Sequence, residues 1–138
     1  RESEERYRVI TEKSHDGIFI YRGDSYLYVN DTLCEIMGYS KEELYEAYVW
    51  DLLHPDDREK VKEIGRKRSR GEEAPSTYEA RALAGDGEVI HFEFAVSPIT
   101  YHGEYAALGT VRDVTERKRA KKKLRELEED LQSNRSEV

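Results

Sequence analysis

One cysteine in 138 residues, Cys34, has no partner for an internal disulfide, which excludes a small secreted scaffold stapled by bridges. No apolar run approaches the roughly 20 residues of a membrane-spanning helix, and no signal-peptide core precedes the apolar segments. Also lacking are a glycine-rich phosphate loop, a nucleophile elbow and a pair of histidines at metal-ligand spacing. The chain therefore has no layout for phosphoryl transfer, acyl transfer or metal-assisted hydrolysis. The adjacent carboxylates Asp56 and Asp57 sit at a helix start and do not face one another as acid and base would. Positive charge is scarce where nucleic acid would need it. Residues 17–115 carry 11 basic and 19 acidic side chains, a net −8, the wrong sign for a general nucleic-acid binder. These absences predict a soluble, cytoplasmic, non-catalytic segment with no membrane contact and no nucleic-acid partner.

What is present is unevenly spread. Residues 17–115 hold 43 of the 51 hydrophobic residues, enough for a real core, while both flanks read as solvated helix. Residues 2–14 read as a short charged helix with Tyr7 and Ile10 on one face, ended by the turn-like His15–Gly17. A hairpin follows, GIFIYR and YLYVN around Gly23-Asp24-Ser25, its aromatic and β-branched content favouring strands. Leu33, Ile36 and Met37 at helical spacing predict a short helix stopped by Gly38. Ser40 to Glu43 is a capping box opening a second helix that carries Leu44. Pro55 suits a first helical position, with Asp56 and Asp57 where the helix dipole favours them. That third helix runs to about Arg70, buries Val61 and Ile64, and ends in the basic run RKRSR, which reads as a solvated helix end.

After Pro75 the period changes from helix to strand. Tyr78, Ala80 and Ala82 alternate with Thr77, Glu79 and Arg81. Ile90, Phe92, Phe94 and Val96 alternate with Val89, His91, Glu93 and Ala95, and a last strand runs from about Glu104 to Val114. Two strands, three short helices and three strands predict an antiparallel α+β layout with helices crossing one face of the sheet. From about Glu116 the chain reads as continuous helix. Ala120, Leu124, Leu127 and Leu131, spaced four, three and four, form a coiled-coil seam among Lys, Arg and Glu. So short a seam holds a homodimer only with help from the domain or from further heptads.

Four segments carry a resemblance: HDGIFIYRGDSYLYVND, LCEIMGYSKEEL, WDLLHPDDR and GTVRDVTERKRAKKKL, in that order over about residues 5–125. Together they resemble a PAS sensor domain followed by its C-terminal motif, as found in bacterial and archaeal signalling proteins such as sensor histidine kinases. The resemblance implies a five-stranded antiparallel sheet in the order 2-1-5-4-3, with small helices closing a pocket over its inner face. It divides the chain into a flanking helix at 1–15, a sensor domain at 16–115 and a signalling helix at 116–138. It also implies that a small ligand or partner alters the sheet and that the change passes through Asp113 and Thr115 into the helix of an attached effector. Asp and Thr at a helix start can equally act as a cap, accepting backbone N–H groups and fixing the angle at which the helix leaves. The two roles are compatible.

The pocket candidates are Ile36, Met37, Trp50, Ile64, Tyr78, Phe92 and Phe94. Trp50 could stack on a flat ligand or belong to the core, and the small Ala80 and Ala82 could leave room for a ligand or for the rings of Phe92 and Phe94. Family members that bind flavin covalently carry Asn-Cys-Arg-Phe-Leu-Gln near the middle helices, which this chain lacks; Cys34 reads as a small buried hydrophobe. Haem-binding members place a histidine on the long helix, and residues 55–70 contain none. Haem and cysteinyl-flavin chemistry are therefore not expected, and the cofactor is left open. A rival reading is a ligand-free interaction module, a filled core whose tail makes the dimer.

Overall fold

The computed structural model describes residues 15–136, with side chains to residue 133. The predicted helix at 2–14, with Tyr7 and Ile10, lies outside the described residues. In chain order the elements are β1 (Gly17–Arg22), β2 (Ser25–Val29), α1 (Asp31–Met37), α2 (Lys41–Glu46), a 3₁₀ turn (Val49–Leu52), α3 (Pro55–Ser69), β3 (Thr77–Leu83), β4 (Val89–Tyr101), β5 (Glu104–Asp113) and α4 (Thr115–Ser136). The strands form one antiparallel sheet in the order β2-β1-β5-β4-β3. Fold class, strand order and the placing of the helices follow the sequence expectation; the 3₁₀ turn is an addition to it.

Side-chain chemistry starts each helix. Asn30 is fully buried, and its Oδ1 accepts from Leu33 N–H at 3.0 Å and Ile18 N–H at 2.9 Å, so it caps α1 and fastens that helix to β1. Ser40 and Glu43 exchange the two bonds of a capping box, at 3.1 and 3.0 Å, satisfying two backbone donors that the first turn leaves orphaned. His54 Nδ1 accepts from Asp56 N–H at 3.2 Å ahead of Pro55.

Asp57 does more than suit the helix dipole. Its carboxylate accepts from Arg81 N–H at 2.7 Å, Nε at 3.1 Å and Nη2 at 2.9 Å, clamping the start of α3 to β3. These charge-assisted bonds hold the carboxyl at about 2, below its ordinary 3.8.

The core lies between the inner sheet face and α1, α2, the 3₁₀ turn and α3. Phe19, Leu33, Leu44, Phe92 and Val111 are among its buried members. Gly109 on β5 lies opposite Phe19. A Cβ there would fall 2.3 Å from the Phe19 ring, so the ring reaches the centre of the sheet only because β5 carries no side chain at that point.

Candidate functional site

Two places combine buried or fastened polar groups with a function-shaped geometry. The first is a cavity of about 40 Å³ on the inner face, walled by rings and aliphatic chains from β1, β2, α1, the 3₁₀ turn, α3, β3, β4 and β5. Of the seven pocket candidates, Met37, Trp50, Tyr78, Phe92 and Phe94 line it. Ile36 and Ile64 do not. Ile36 is half-buried, one position round α1 from Met37. Ile64 is buried, but Gly65 beside it abuts the Tyr21 hydroxyl and the Trp50 ring, which occupy the space between helix and sheet at that level.

The open question over the alanines divides. Ala82 lines the cavity and opposes Ile90, whereas Ala80 opposes Phe92 and is not part of the wall. Tyr78 and Phe94 stack at 5.2 Å and 12°, and Phe92 meets Phe94 edge-on at 5.8 Å. The rings therefore fill much of the room that small residues on β3 provide. What remains holds roughly three water-sized groups, at about 10–15 Å³ each.

Next to the cavity's Tyr21 lies a buried cation that is not itself part of the wall. Arg68, read from sequence as part of a solvated helix end, is 8% exposed. Its Nη1 donates to the Tyr21 hydroxyl at 3.3 Å, and its charge opposes the upward shift of the Tyr78 phenol. Its Nη2 is buried without a hydrogen-bond partner. Burial raises the Tyr21 phenol above its ordinary value, opposed by the Arg68 charge. Burial likewise pushes Tyr78 up to about 12, and it raises the partly buried Tyr26. All three remain protonated at neutral pH. Position predicts what residue type concealed: Arg68 follows Val61 and Ile64 at the spacing of one helix face.

The second place is the junction of β5 and α4. Val114 N–H donates to His91 O at 2.8 Å, and His91 N–H donates to Thr115 Oγ1 at 2.9 Å. Asp113 Oδ1 accepts from Thr115 N–H at 2.9 Å. Asp113 thus shapes the helix start, while Thr115 ties it to β4. Directly opposite one another on β3 and β4 stand Glu79 and Glu93, a like-charge pair that destabilises a sheet unless it is neutralised. The first turn of α4 supplies the neutralising charge. Arg117 lies 3.4 Å from Glu93 and 3.7 Å from Glu79, and Lys118 lies 2.8 Å from Glu79. The Lys118 hydrogen bond is the main reason the Glu79 carboxyl titrates below its ordinary range.

Beyond this turn α4 leaves the domain. Leu124, Leu127 and Leu131 are 58%, 49% and 60% exposed. Cys34 is half-buried against the core. Among the described residues no cluster of His, Cys, Asp and Glu is placed to hold a metal ion, and no helix is long and apolar enough to cross a membrane.

Comparison with known proteins agrees with the resemblance carried by the motifs. The family model for the PAS fold matches residues 5–114. The chain is 33% identical over 122 residues to the methyl sulfide methyltransferase-associated sensor of Methanosarcina acetivorans, covering 87% of this chain and 12% of that protein. It is 30% identical over 125 residues to sporulation kinase A of Bacillus subtilis, covering 86% of this chain and 20% of that protein. It thus spans a fifth or less of these two relatives. Among solved structures, a domain of a sensory box sensor histidine kinase/response regulator from Geobacter sulfurreducens superimposes with a TM-score of 0.66 at 27% identity, over 80% of this chain and 94% of that one.

Proposed function

The chain belongs to the PAS family, whose sensory domains are found in histidine kinases and other sensor proteins, and from that premise we propose that it is a sensory input domain coupling its cavity to α4. A small ligand or partner contact alters the wall of the cavity. The change passes through Asp113 and Thr115 into a helix paired with a second copy at Leu124, Leu127 and Leu131, and so to an attached effector, a histidine kinase.

One observation carries the reading. Phe92 lines the cavity, and its neighbour His91 faces away from it and holds the helix junction by both backbone groups. A movement of the Phe92 ring that shifts the β4 backbone acts on the junction with no intervening residue. Thermodynamically, a signal requires an occupant that binds two arrangements of the helix pair with different affinity.

Native mass spectrometry of the purified chain, with an absorption spectrum and amide exchange of α4 on the same sample, tests this. The reading expects a dimer, a bound mass released on denaturation, and protection in α4 that differs with and without the bound molecule. Identical α4 protection and pairing in the two states would remove it. The small cavity favours one second reading, a ligand-free dimerisation module. That module would show no bound mass and would become monomeric when residues 116–138 are deleted.

A further inference from the structure

An open groove of about 370 Å³ shares Tyr21 and Trp50 with the inner cavity. Its size falls within the roughly 300–1,000 Å³ of small-molecule sites, where the inner cavity of about 40 Å³ does not. Tyr21, Trp50 and Tyr105 supply rings to its walls, Lys62 and Arg66 two cations, and Asp24 the one acid. Gly65 on α3 explains why there is room. A glycine in a helix interior is locally unfavourable, and α3 carries it where a methyl group would stand 3.3 Å from the Tyr21 hydroxyl and 3.4 Å from Trp50 Cη2. The absent side chain lets both rings reach the helix and keeps the groove open at their edges. The Tyr21 and Trp50 rings meet at 85° with centroids 5.8 Å apart, two sides of a corner. A flat ring laid on one of them meets the other edge-on, the pair of contacts that aromatic rings favour.

The polar groups along the groove are mostly donors. Tyr21 accepts from Arg68 through its oxygen, which leaves its own proton for a second partner, and the Tyr105 phenol is close enough to interact with it electrostatically. Lys62 and Arg66, four residues apart, lie on one face of α3. Their carboxylate neighbours on the helix compete weakly. Glu59 stands 3.9 Å from Lys62 with its side chain 81% exposed, and Glu63 stands 3.2 Å from Arg66 and is 49% exposed; solvent-exposed pairs of this kind contribute little, and neither Glu lines the groove. Two cations against Asp24 favour a ligand with one negative charge, and three rings favour a flat apolar body. A guanidinium matches a carboxylate in a two-point fork better than it matches a spherical ion.

We propose that the groove binds a planar aromatic monocarboxylate, its ring against Trp50 and Tyr105 and its carboxylate held by Lys62 and Arg66. The inference deepens the sensory reading above and rests on it for the consequence of binding, because a ring seated on Tyr21 and Trp50 presses on side chains that are also cavity wall. Lys62 and Arg66 select the charge, and the rings select the planar body.

Trp50 is the one tryptophan of the chain, so its indole N–H gives a single resonance that reports on the groove. The test titrates the nitrogen-labelled 138-residue chain at neutral pH and fixed ionic strength with sodium benzoate, its neutral isostere benzamide, the non-planar sodium cyclohexanecarboxylate, and inorganic phosphate. The expected result is a saturable shift of the Trp50 indole and the Gly65 amide with benzoate, with a dissociation constant of about a millimolar, reasonable for so few atoms. Benzamide should bind at least about tenfold more weakly, as expected when charge-assisted bonds are lost. Cyclohexanecarboxylate should be weaker by about threefold or more, the share that ring contacts add beyond buried area. Phosphate should give no saturable shift. The double variant Lys62→Met, Arg66→Gln should weaken benzoate about tenfold.

Benzamide or cyclohexanecarboxylate binding as tightly as benzoate, phosphate binding more tightly, undiminished benzoate binding in the double variant, or no saturable shift up to about 50 mM, well past the expected constant, would each overturn the proposal. The wild-type contrast between benzoate and benzamide stands whatever the variant does. Amide exchange of α4 on the same samples separates this proposal from its premise. Benzoate binding with α4 unchanged would keep the site and remove the relay. A response of α4 to benzamide alone would keep the relay and overturn the carboxylate.

Discussion

Two helices of this molecule, α3 and α4, are built from nearly the same kinds of residue and meet opposite fates. Both are dominated by Lys, Arg and Glu, with a thin line of aliphatic side chains. Helix α3 lays Val61, Ile64 and even Arg68 against the sheet, whereas α4 holds Leu124, Leu127 and Leu131 in solvent. Composition does not decide the difference. Helix α3 is clamped at its start by Asp57 and Arg81 and packs against β3, so its partner is in the same chain. Helix α4 is fastened only through its first turn, and its apolar stripe has no partner among the described residues. That contrast separates a helix that completes a cavity from one free to report on it.

Matched truncations should show the largest effect. Ile64→Ala is expected to lower the unfolding free energy by about 2–4 kcal/mol, because it removes a buried aliphatic side chain. Leu127→Ala should change it by no more than about 0.5 kcal/mol at concentrations where the chain is monomeric and should instead weaken self-association. Urea unfolding and sedimentation equilibrium on both variants check this. Comparable destabilisation of the monomer by both would break the contrast.

Next comes the clamp on α3. The Asp57 carboxyl titrates at about 2 when folded and near 3.8 when free. A depressed folded value means that the contribution is fully present above about pH 4 and is lost as pH falls towards 2. After allowance for screening at the partly exposed Arg81, about 1–2 kcal/mol of stability should disappear across that window. Asp57→Asn should flatten that part of the stability–pH curve.

At the junction, Thr115→Val keeps the shape and leaves His91 N–H without its acceptor, for a loss of about 1–2 kcal/mol. Amide exchange should show the loss concentrated in the first turn of α4. The smallest effect belongs to the surface ions. Glu79→Gln, or about 0.5 M salt on the parent chain, should change global stability by less than about 0.5 kcal/mol while loosening the Arg117 and Lys118 end of α4. A global loss instead would mean that this turn belongs to the core after all.

Much of this architecture is legible in the sequence, because the signals are local. The period change after Pro75, the Ser40–Glu43 box and Pro55 each act within one turn of chain, and they place the strands and helix starts. Phe92, Phe94 and Tyr78 are findable as cavity wall because strand alternation fixes the face that a residue shows. Less legible are the features made by residues far apart in sequence. The Asp57–Arg81 clamp spans 24 residues, and the ion cluster of Glu79, Glu93, Arg117 and Lys118 depends on strand register. Arg68 was hidden by its type, since a basic run at a helix end is ordinarily solvated; only its spacing from Val61 and Ile64 marks it as inward. Ile36 and Ile64 show the converse. An apolar residue on a buried face packs somewhere, but periodicity cannot say whether it faces a cavity.

The central claim is that the state of the cavity is read by the pairing of α4. Ala82, whose side chain lines the cavity, allows that to be tested without knowing the ligand, because Ala82→Val fills part of the space with the chain's own atoms. The measurement is the spin-label distance between copies of α4, with Glu128→Cys as the labelling site in a Cys34→Ala background, in the parent chain and in its Ala82→Val variant. The account predicts one intermolecular distance distribution in the parent and a shifted or broadened one when the cavity is filled. A folded Ala82→Val variant with superimposable distances, or no intermolecular distance in either protein, would contradict it.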